Sequence, residues 1–309
     1  MAAFRFAMQA SSAASPAAWR GLARKCEDMG YSTLYVPDHL DEQWAPMIAC
    51  TLAAEATTTL RVGTLVLDND FRHPVLAARE AATLDVVTGG RFEFGLGAGW
   101  LTADYDQSGI PMDRPSVRIA RLAESLEIMR SLWQTGSATF RGEHYEVPDA
   151  KGFPVPATPG GPPLVIGGGG RRILTLAGRY ADVVSVVPSL AAGYIGPEVA
   201  AEAVLDRYHE RVRWAREAAG DRAGELELQC WTAAVQVVPN ADEVVESMAP
   251  LFDLTPDQLR AAPLALIGTA SEIAETLRKR REELGFSYIV VHEAEMDALA
   301  PVIAELAGT

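Results

Sequence analysis

The sequence predicts a (β/α)8 TIM barrel, and three observations predict it. Short apolar segments alternate with helix-patterned segments from one end of the chain to the other. Several of the strands read as continuous apolar runs, as expected for parallel strands buried on both faces. A length of 309 residues suits one whole barrel. An open doubly wound sheet is the competing architecture, and it seldom strings eight parallel strands in a row. The chain is expected to form a single domain, 1–309, with irregular insertions near 135–163, 188–197 and 239–263.

The elements follow in order. Phe4–Gln9 is the first strand. Ser15–Met29 reads as a helix, with Ser15 as cap, Pro16 at the first helical position and Gly30 after the end. Thr33–Val36 is the second strand, Pro46–Thr57 the second helix, Arg61–Leu67 the third strand and Pro74–Val87 the third helix. Arg91–Gly97 is the fourth strand. Arg114–Trp133 follows as a helix with Ile119, Leu122, Leu126, Met129 and Leu132 on one stripe. Ala138–Phe140 and Tyr145–Val147 are expected to pair as a hairpin, followed by a proline-rich stretch up to Pro163. The alternation then resumes with strands at Leu164–Ile166, Asp182–Val187, Leu226–Val238 and Phe286–Val291. The helices between and after them are Arg171–Arg179, Glu198–Ala219, one or two short helices within Ala241–Ala262, Ser271–Leu284 and Met296–Leu306.

Composition narrows the function. The net charge is −14, and no run of lysine or arginine forms a stripe for nucleic acid. Three scattered cysteines, Cys26, Cys50 and Cys230, argue for a reduced compartment and against a disulfide framework. The first ten residues do not pair a basic start with an apolar run, so no signal peptide is expected, and Ala45–Ala54 is too short to span a bilayer. A cytoplasmic protein without membrane or nucleic-acid partners is the expectation. The five histidines show no metal spacing, and neither HExxH nor a GxSxG elbow occurs.

Three motifs carry chemistry. Asp38 and His39 follow directly on the second strand, at the end where α/β proteins place ligands; alternatively Asp38 caps a helix and His39 is a surface histidine. Gly95–Trp100 ends the fourth strand with alternating glycines. It is not the dinucleotide fingerprint, and it serves either a flat ligand close to the backbone or a tight turn. Gly167–Gly170 links a strand directly to a helix that begins Arg171-Arg172. Exposed N–H groups and the positive helix end form an anion site there, the reading favoured over a plain turn. Replacing Gly169 with aspartate is expected to abolish anion binding and leave the barrel folded.

Taken in order, Val36–His39, Val62–Val66, His73-Pro74, Thr83–Asp85 with Gly89–Arg91, Gly95–Trp100, Pro162–Leu164 with Gly167–Gly170, Ala177–Asp182 and Leu266–Thr269 resemble the luciferase-like monooxygenase superfamily. Within it they resemble the branch dependent on coenzyme F420, a deazaflavin. The resemblance implies a barrel with the cofactor ring at the carboxyl ends of the strands. Asp38 and His39 would lie beside the ring, and a bulge at Leu65–Val66, with a cis peptide, behind it. Ala98 and Gly99 would run along the cofactor, and Gly168, Gly169 and Gly170 would hold its phosphate. The sugar-phosphate dehydrogenases of this branch place a glutamate where Trp100 stands here. Asp104 lies further along that loop, and Trp44 is similar to an active-site aromatic of those enzymes.

The resemblance therefore implies an oxidoreductase that moves a hydride between the deazaflavin and a small organic substrate. His39 would exchange the coupled proton, and Asp38 would hold His39 or the ring. An FMN monooxygenase on the same scaffold and a non-catalytic flavin-binding barrel are the alternatives, and a homodimer is an open arrangement. The loops Pro188–Pro197 and Pro239–Pro263 carry Tyr194, Met248, Leu251 and Phe252, which line an apolar substrate pocket or pack as a lid. Neither the substrate nor the direction of transfer is legible.

Overall fold

The computed structural model describes residues 2–309 except 195, 197, 198 and 200. Pro197 and Glu198, the expected end of one insertion and start of the next helix, lie outside the described residues. The strands are β1 (Arg5–Gln9), β2 (Thr33–Val36), β3 (Arg61–Thr64), β4 (Leu67–Asp68), β5 (Phe92–Gly97), β6 (Ser137–Arg141) and β7 (Glu146–Lys151), then β8 (Leu164–Gly168), β9 (Val183–Val186), β10 (Glu227–Trp231), β11 (Ala234–Val237), β12 (Ala265–Gly268) and β13 (Phe286–His292). Nine of them form one sheet in the order β3-β2-β1-β13-β10-β9-β8-β5-β4. A further pairing of β3 with β5, Val62 opposite Phe92 and Gly63 opposite Glu93, closes that sheet on itself. All its pairings are parallel. β3 and β4 are two halves of one stave, parted at the Leu65–Val66 peptide, which is cis. The result is the eight-staved parallel barrel that the alternation predicts.

Alternation along each strand sorts side chains to two cores. Phe4, Phe6 and Met8 face the helices in the large outer core, while Ala7, Tyr35, Val165, Val183, Tyr288 and Val290 pack inside the barrel. The amino end of the interior is polar. Glu93, 1% exposed, receives Arg5, Arg61 (Nε to Oε1, 2.7 Å), Tyr35 and Tyr288 (OH to Oε2, 3.1 Å). Burial pushes the Glu93 carboxyl up, but Arg5 and Arg61 outweigh it and hold the group below its ordinary value.

The glycines of β3 and β5 are packing glycines. A Cβ on Gly63 would lie 2.6 Å from Tyr35 Cε1, one on Gly95 1.8 Å from the Thr64 carbonyl oxygen, and one on Gly97 2.7 Å from Val66 Cγ2. The alternating glycines of β5 thus admit the broken stave beside them, so protein atoms already occupy the space read as room for a flat ligand.

Most predicted helices stand within a turn of their expected ends. Ser15 Oγ caps Pro16–Asp28 by accepting from Ala18 N at 3.1 Å. The hairpin forms as β6 and β7. Two expectations change, and one element is added. The predicted helix Glu198–Ala219 is interrupted at 202–204 and its long part is Leu205–Ala219, because the Glu202 carbonyl accepts from Arg211 Nη1 (2.7 Å) instead of continuing the helix. The predicted strand Leu226–Val238 is two strands. Thr232 turns the chain out of the barrel by donating both N and Oγ1 to the Val290 carbonyl, and β11 then pairs in parallel with β12, which the sequence did not announce. A short helix, Thr102–Ser108, follows β5. No helix among the described residues is long and apolar enough to cross a membrane.

Gly21 lies in the helix Pro16–Asp28 with nothing within 4 Å of its Cβ position. Gly21→Ala is expected to stabilise the protein by up to ~1 kcal/mol in urea unfolding. Gly95→Ala is expected to cost ~3 kcal/mol or more, or to prevent folding, because backbone stands where its methyl must go. A Gly95→Ala variant of parental stability would show that β3 and β5 do not approach as described.

Candidate active site

The carboxyl ends of the strands bring the predicted residues to one mouth, but with partners the sequence did not assign. Asp38 does not hold His39. It is 7% exposed and takes Arg72 across both oxygens, through Nη1 to Oδ2 (2.5 Å) and Nη2 to Oδ1 (3.2 Å), and Oδ2 also accepts from Asp68 N at 3.0 Å. Asp38 therefore pins the segment after β4 to the end of β2.

His39 is held by Asp104. Its Nδ1 lies 2.7 Å from Asp104 Oδ2, and the other carboxylate oxygen accepts from Leu40 N at 3.0 Å. Asp104 is 5% exposed and belongs to the unpredicted helix Thr102–Ser108. A carboxylate against Nδ1 places the proton there and leaves Nε2 free to accept or, once charged, to donate. Nε2 makes no hydrogen bond among the described residues. Trp100 stands edge-on to the imidazole, with ring centroids 5.5 Å apart.

The backbone after β5 is clamped from below. Arg118 donates to the carbonyls of Ala98 (3.0 Å), Gly99 (3.2 Å) and Asp113 (2.5 Å). Gly99 adopts φ 70°, and a Cβ there would stand 2.0 Å from the Tyr105 hydroxyl. Leu65 and Val66 are partly exposed above the interior cluster, and Val66 Cγ1 lies 3.6 Å from the Cβ position of Gly167. The break in the stave and the glycine loop after β8 are therefore neighbours.

That loop divides residue by residue. A Cβ on Gly168 would strike Ile173 Cγ2 at 2.4 Å, and one on Gly169 would lie 2.4 Å from the Val187 and Pro188 carbonyl oxygens. Gly170 has open space and is the N-cap of the helix Arg171–Tyr180, with no side chain capping it. The first turn of N–H groups is thus open to an anion. Arg211, 1% exposed, holds the loop from behind through Nε to the Gly169 carbonyl (3.0 Å) and Nη2 to Glu202 Oε2 (2.6 Å). Gly169→Asp would disturb the fold, contrary to expectation, so Gly170 is the informative position.

Trp44 lies just before the helix Pro46–Ala54 and packs on Trp19 with ring centroids 5.4 Å apart. Of the proposed pocket residues, Met248 and Phe252 pack against a satellite core around Val245 and Leu259, while Tyr194 and Leu251 are exposed. Sequence reasoning missed Arg72, Arg118 and Arg211. A signal existed for two of them: Arg118 falls on the stripe of Leu122, Leu126 and Met129, and Arg211 beside the buried Tyr208, Val212 and Ala215.

Burial pushes the Asp68 carboxyl up to about 6, opposed by the hydrogen bond from Asp70 N and reinforced by the charges of Asp70 and Asp38. The folded chain therefore keeps this proton over a range where the unfolded chain, titrating near 3.9, has lost it. The contribution of Asp68 to stability therefore falls as pH rises from about 4 to about 6 and stays lowered above that. Asp68→Asn retains the acceptor for Asp70 N and removes the charge. It is expected to gain roughly 2–3 kcal/mol at pH 7.5 and nothing at pH 4, by urea unfolding. An equal effect at both pH values would deny the buried charge.

The luciferase-like monooxygenase family model matches residues 1–288. The F420-dependent glucose-6-phosphate dehydrogenase of Nakamurella multipartita is 29% identical over 309 aligned positions, covering 93% of this chain and 90% of that protein. The enzyme of the same name from Amycolatopsis mediterranei is 32% identical over 169 residues, and the match spans only about half of each protein. Among solved structures, the coenzyme F420-dependent tetrahydromethanopterin reductase of Methanopyrus kandleri superposes with a TM-score of 0.76 at 20% identity over 99% of both chains, a likeness of fold. With the family model matched over nearly its whole length and the eight-staved barrel to go with it, the chain belongs to the luciferase-like monooxygenase family.

Proposed function

We propose that this protein is a cytoplasmic oxidoreductase that uses coenzyme F420 to reduce or oxidise a small organic molecule. The observation that carries the reading is His39 at the barrel mouth, fixed by Asp104 at Nδ1 with Nε2 uncommitted. The names of the relatives support the coenzyme; His39 with Nε2 uncommitted and the open helix start at Gly170, both at the barrel mouth, support a proton carrier and a phosphate site. When bound, the deazaflavin supplies or accepts the hydride.

The chain's own residues do the rest. Open N–H groups from Gly170 onward receive the phosphate, with Gly168 and Gly169 shaping the loop. The Ala98–Gly99 backbone, clamped by Arg118, and the side chains of Leu65 and Val66 form the surfaces for the ring. Asp38 acts at one remove, by holding Arg72 and the segment after β4. His39 Nε2 moves the coupled proton, and Asp104 keeps its tautomer and stabilises the charged ring. FMN has the same ring-and-phosphate plan, so the coenzyme is decided by titration. Ile48 and Leu76, 72% and 56% exposed on the helices Pro46–Ala54 and Pro74–Thr88, form the proposed contact of a homodimer. Sedimentation as a monomer would remove that contact.

In fluorescence titration the protein is expected to bind F420 more tightly than FMN. Gly170→Asp is expected to weaken binding at least tenfold with the melting temperature kept, since aspartate is a good N-cap and its carboxylate repels the phosphate. Tighter FMN binding would move the function to a monooxygenase, and an indifferent Gly170→Asp would place the phosphate elsewhere. His39→Ala and Asp104→Asn are each expected to lower turnover ~10²–10⁴-fold with coenzyme affinity nearly kept. Full activity in Asp104→Asn would show that the pair does not orient the proton carrier.

A further inference from the structure

Opposite the glycine loop, the mouth carries a second set of inward side chains. Gln9 ends β1, Trp231 ends β10 and His292 ends β13, and these three staves are adjacent. Ala7, Tyr288 and Val290 belong to the interior cluster, and Trp231 packs on it. Strand alternation therefore points Gln9 and His292 inward as well. Trp231 Nε1 donates to Gln9 Oε1 at 2.9 Å. An indole N–H only donates, so Gln9 must turn its oxygen to it and its amide Nε2 away. That Nε2 makes no hydrogen bond among the described residues. The arrangement is locked: His292 stands edge-on to Trp231 at 5.0 Å between centroids, and its Nε2 donates to the Thr232 carbonyl at 3.1 Å. The mouth thus holds an oriented neutral donor beside an aromatic wall.

The charge around it is one-sided. Among the described residues, the segments leaving β9, β10 and β13 (187–204, 232–264 and 293–299) contain nine aspartates and glutamates and a single arginine, with no lysine, and one of the nine, Asp297, is paired with Lys25 of the first helix. That arginine, Arg260, is paired with Asp242. Of the guanidinium groups elsewhere at the mouth, Arg72 is committed to Asp38, Arg118 to three carbonyls, and Arg211 to Glu202 and the Gly169 carbonyl, while Arg171 and Arg172 are exposed at the helix start beyond the glycine loop, across the barrel from Gln9. Among the described residues of these segments, no unpaired cation offsets the acidic field against a second anion. A site that binds an acceptor with a neutral amide, among carboxylates, discriminates by charge.

We propose that this site takes an uncharged carbonyl or alcohol substrate, whose oxygen accepts from Gln9 Nε2 and whose carbon skeleton lies against Trp231, and that it rejects phosphorylated and carboxylated substrates. The inference rests on the coenzyme-dependent reading above and departs from the glucose 6-phosphate in the relatives' names. The protein loaded with whichever coenzyme it takes up is titrated calorimetrically with cyclohexanone, with 4-oxocyclohexanecarboxylate, which adds one carboxylate, and with glucose 6-phosphate. Cyclohexanone is expected to bind at least tenfold more tightly than either anion. Gln9→Glu, which keeps the acceptor for Trp231 but loses the donor, and Gln9→Met, which loses both, are each expected to weaken cyclohexanone about tenfold, with coenzyme affinity within twofold of the parent. Binding of an anion as tight as the ketone, no binding of the ketone, or variants that bind it as the parent does would each overturn the inference. Failure to take up either coenzyme would instead overturn the proposed function, and this inference with it.

Discussion

The barrel depends on a buried carboxylate. Glu93 sits inside the amino end of the closed sheet and gathers Arg5 of β1, Tyr35 of β2, Arg61 of β3 and Tyr288 of β13. A closed eight-staved barrel has an interior that side chains must fill, and a charge there survives only with partners on every side. Two guanidinium groups and two phenols satisfy this one carboxylate and tie five staves together. With the lower layer so fixed, the upper layer is free to carry partly exposed side chains at the rim, among them Gln9, Val66, Trp231 and His292.

The same device recurs at the loops. Arg72, Arg118 and Arg211 each turn a guanidinium onto carboxylate or carbonyl oxygens of a segment leaving the barrel. These segments have irregular backbone, whose carbonyls need donors when water is excluded. One planar group with five donors meets several of them at once. These three cations thus serve as scaffold. This explains how a strongly acidic chain holds the irregular backbone of these segments in place.

Several of the segments that carry the family resemblance have structural duties in this chain. Asp85 accepts from Thr158 N and Oγ1, tying the third helix to the proline-rich segment. Asp182 accepts from Leu164 N at the foot of β8, and Thr269 with Glu272 forms a capping box. A motif shared across a family therefore marks fold as often as chemistry, and only the partners of each residue separate the two.

By itself the sequence determined the architecture, because the alternation of buried strand and amphipathic helix is written locally and admits few closed solutions. It also determined where the mouth lies, since the carboxyl end of each strand follows from chain direction alone. The broken stave at Leu65–Val66 came from resemblance, and the open helix start at Gly170 from glycine spacing. What only the tertiary structure decided are the partnerships across staves. Asp38 and His39 are adjacent in the chain, yet they bind Arg72 and Asp104 respectively, 34 and 65 positions away. Gln9 and Trp231 meet across 222 positions. Such contacts arise when closure brings distant strand ends to one rim, and no local pattern of residues records which side chains then face each other.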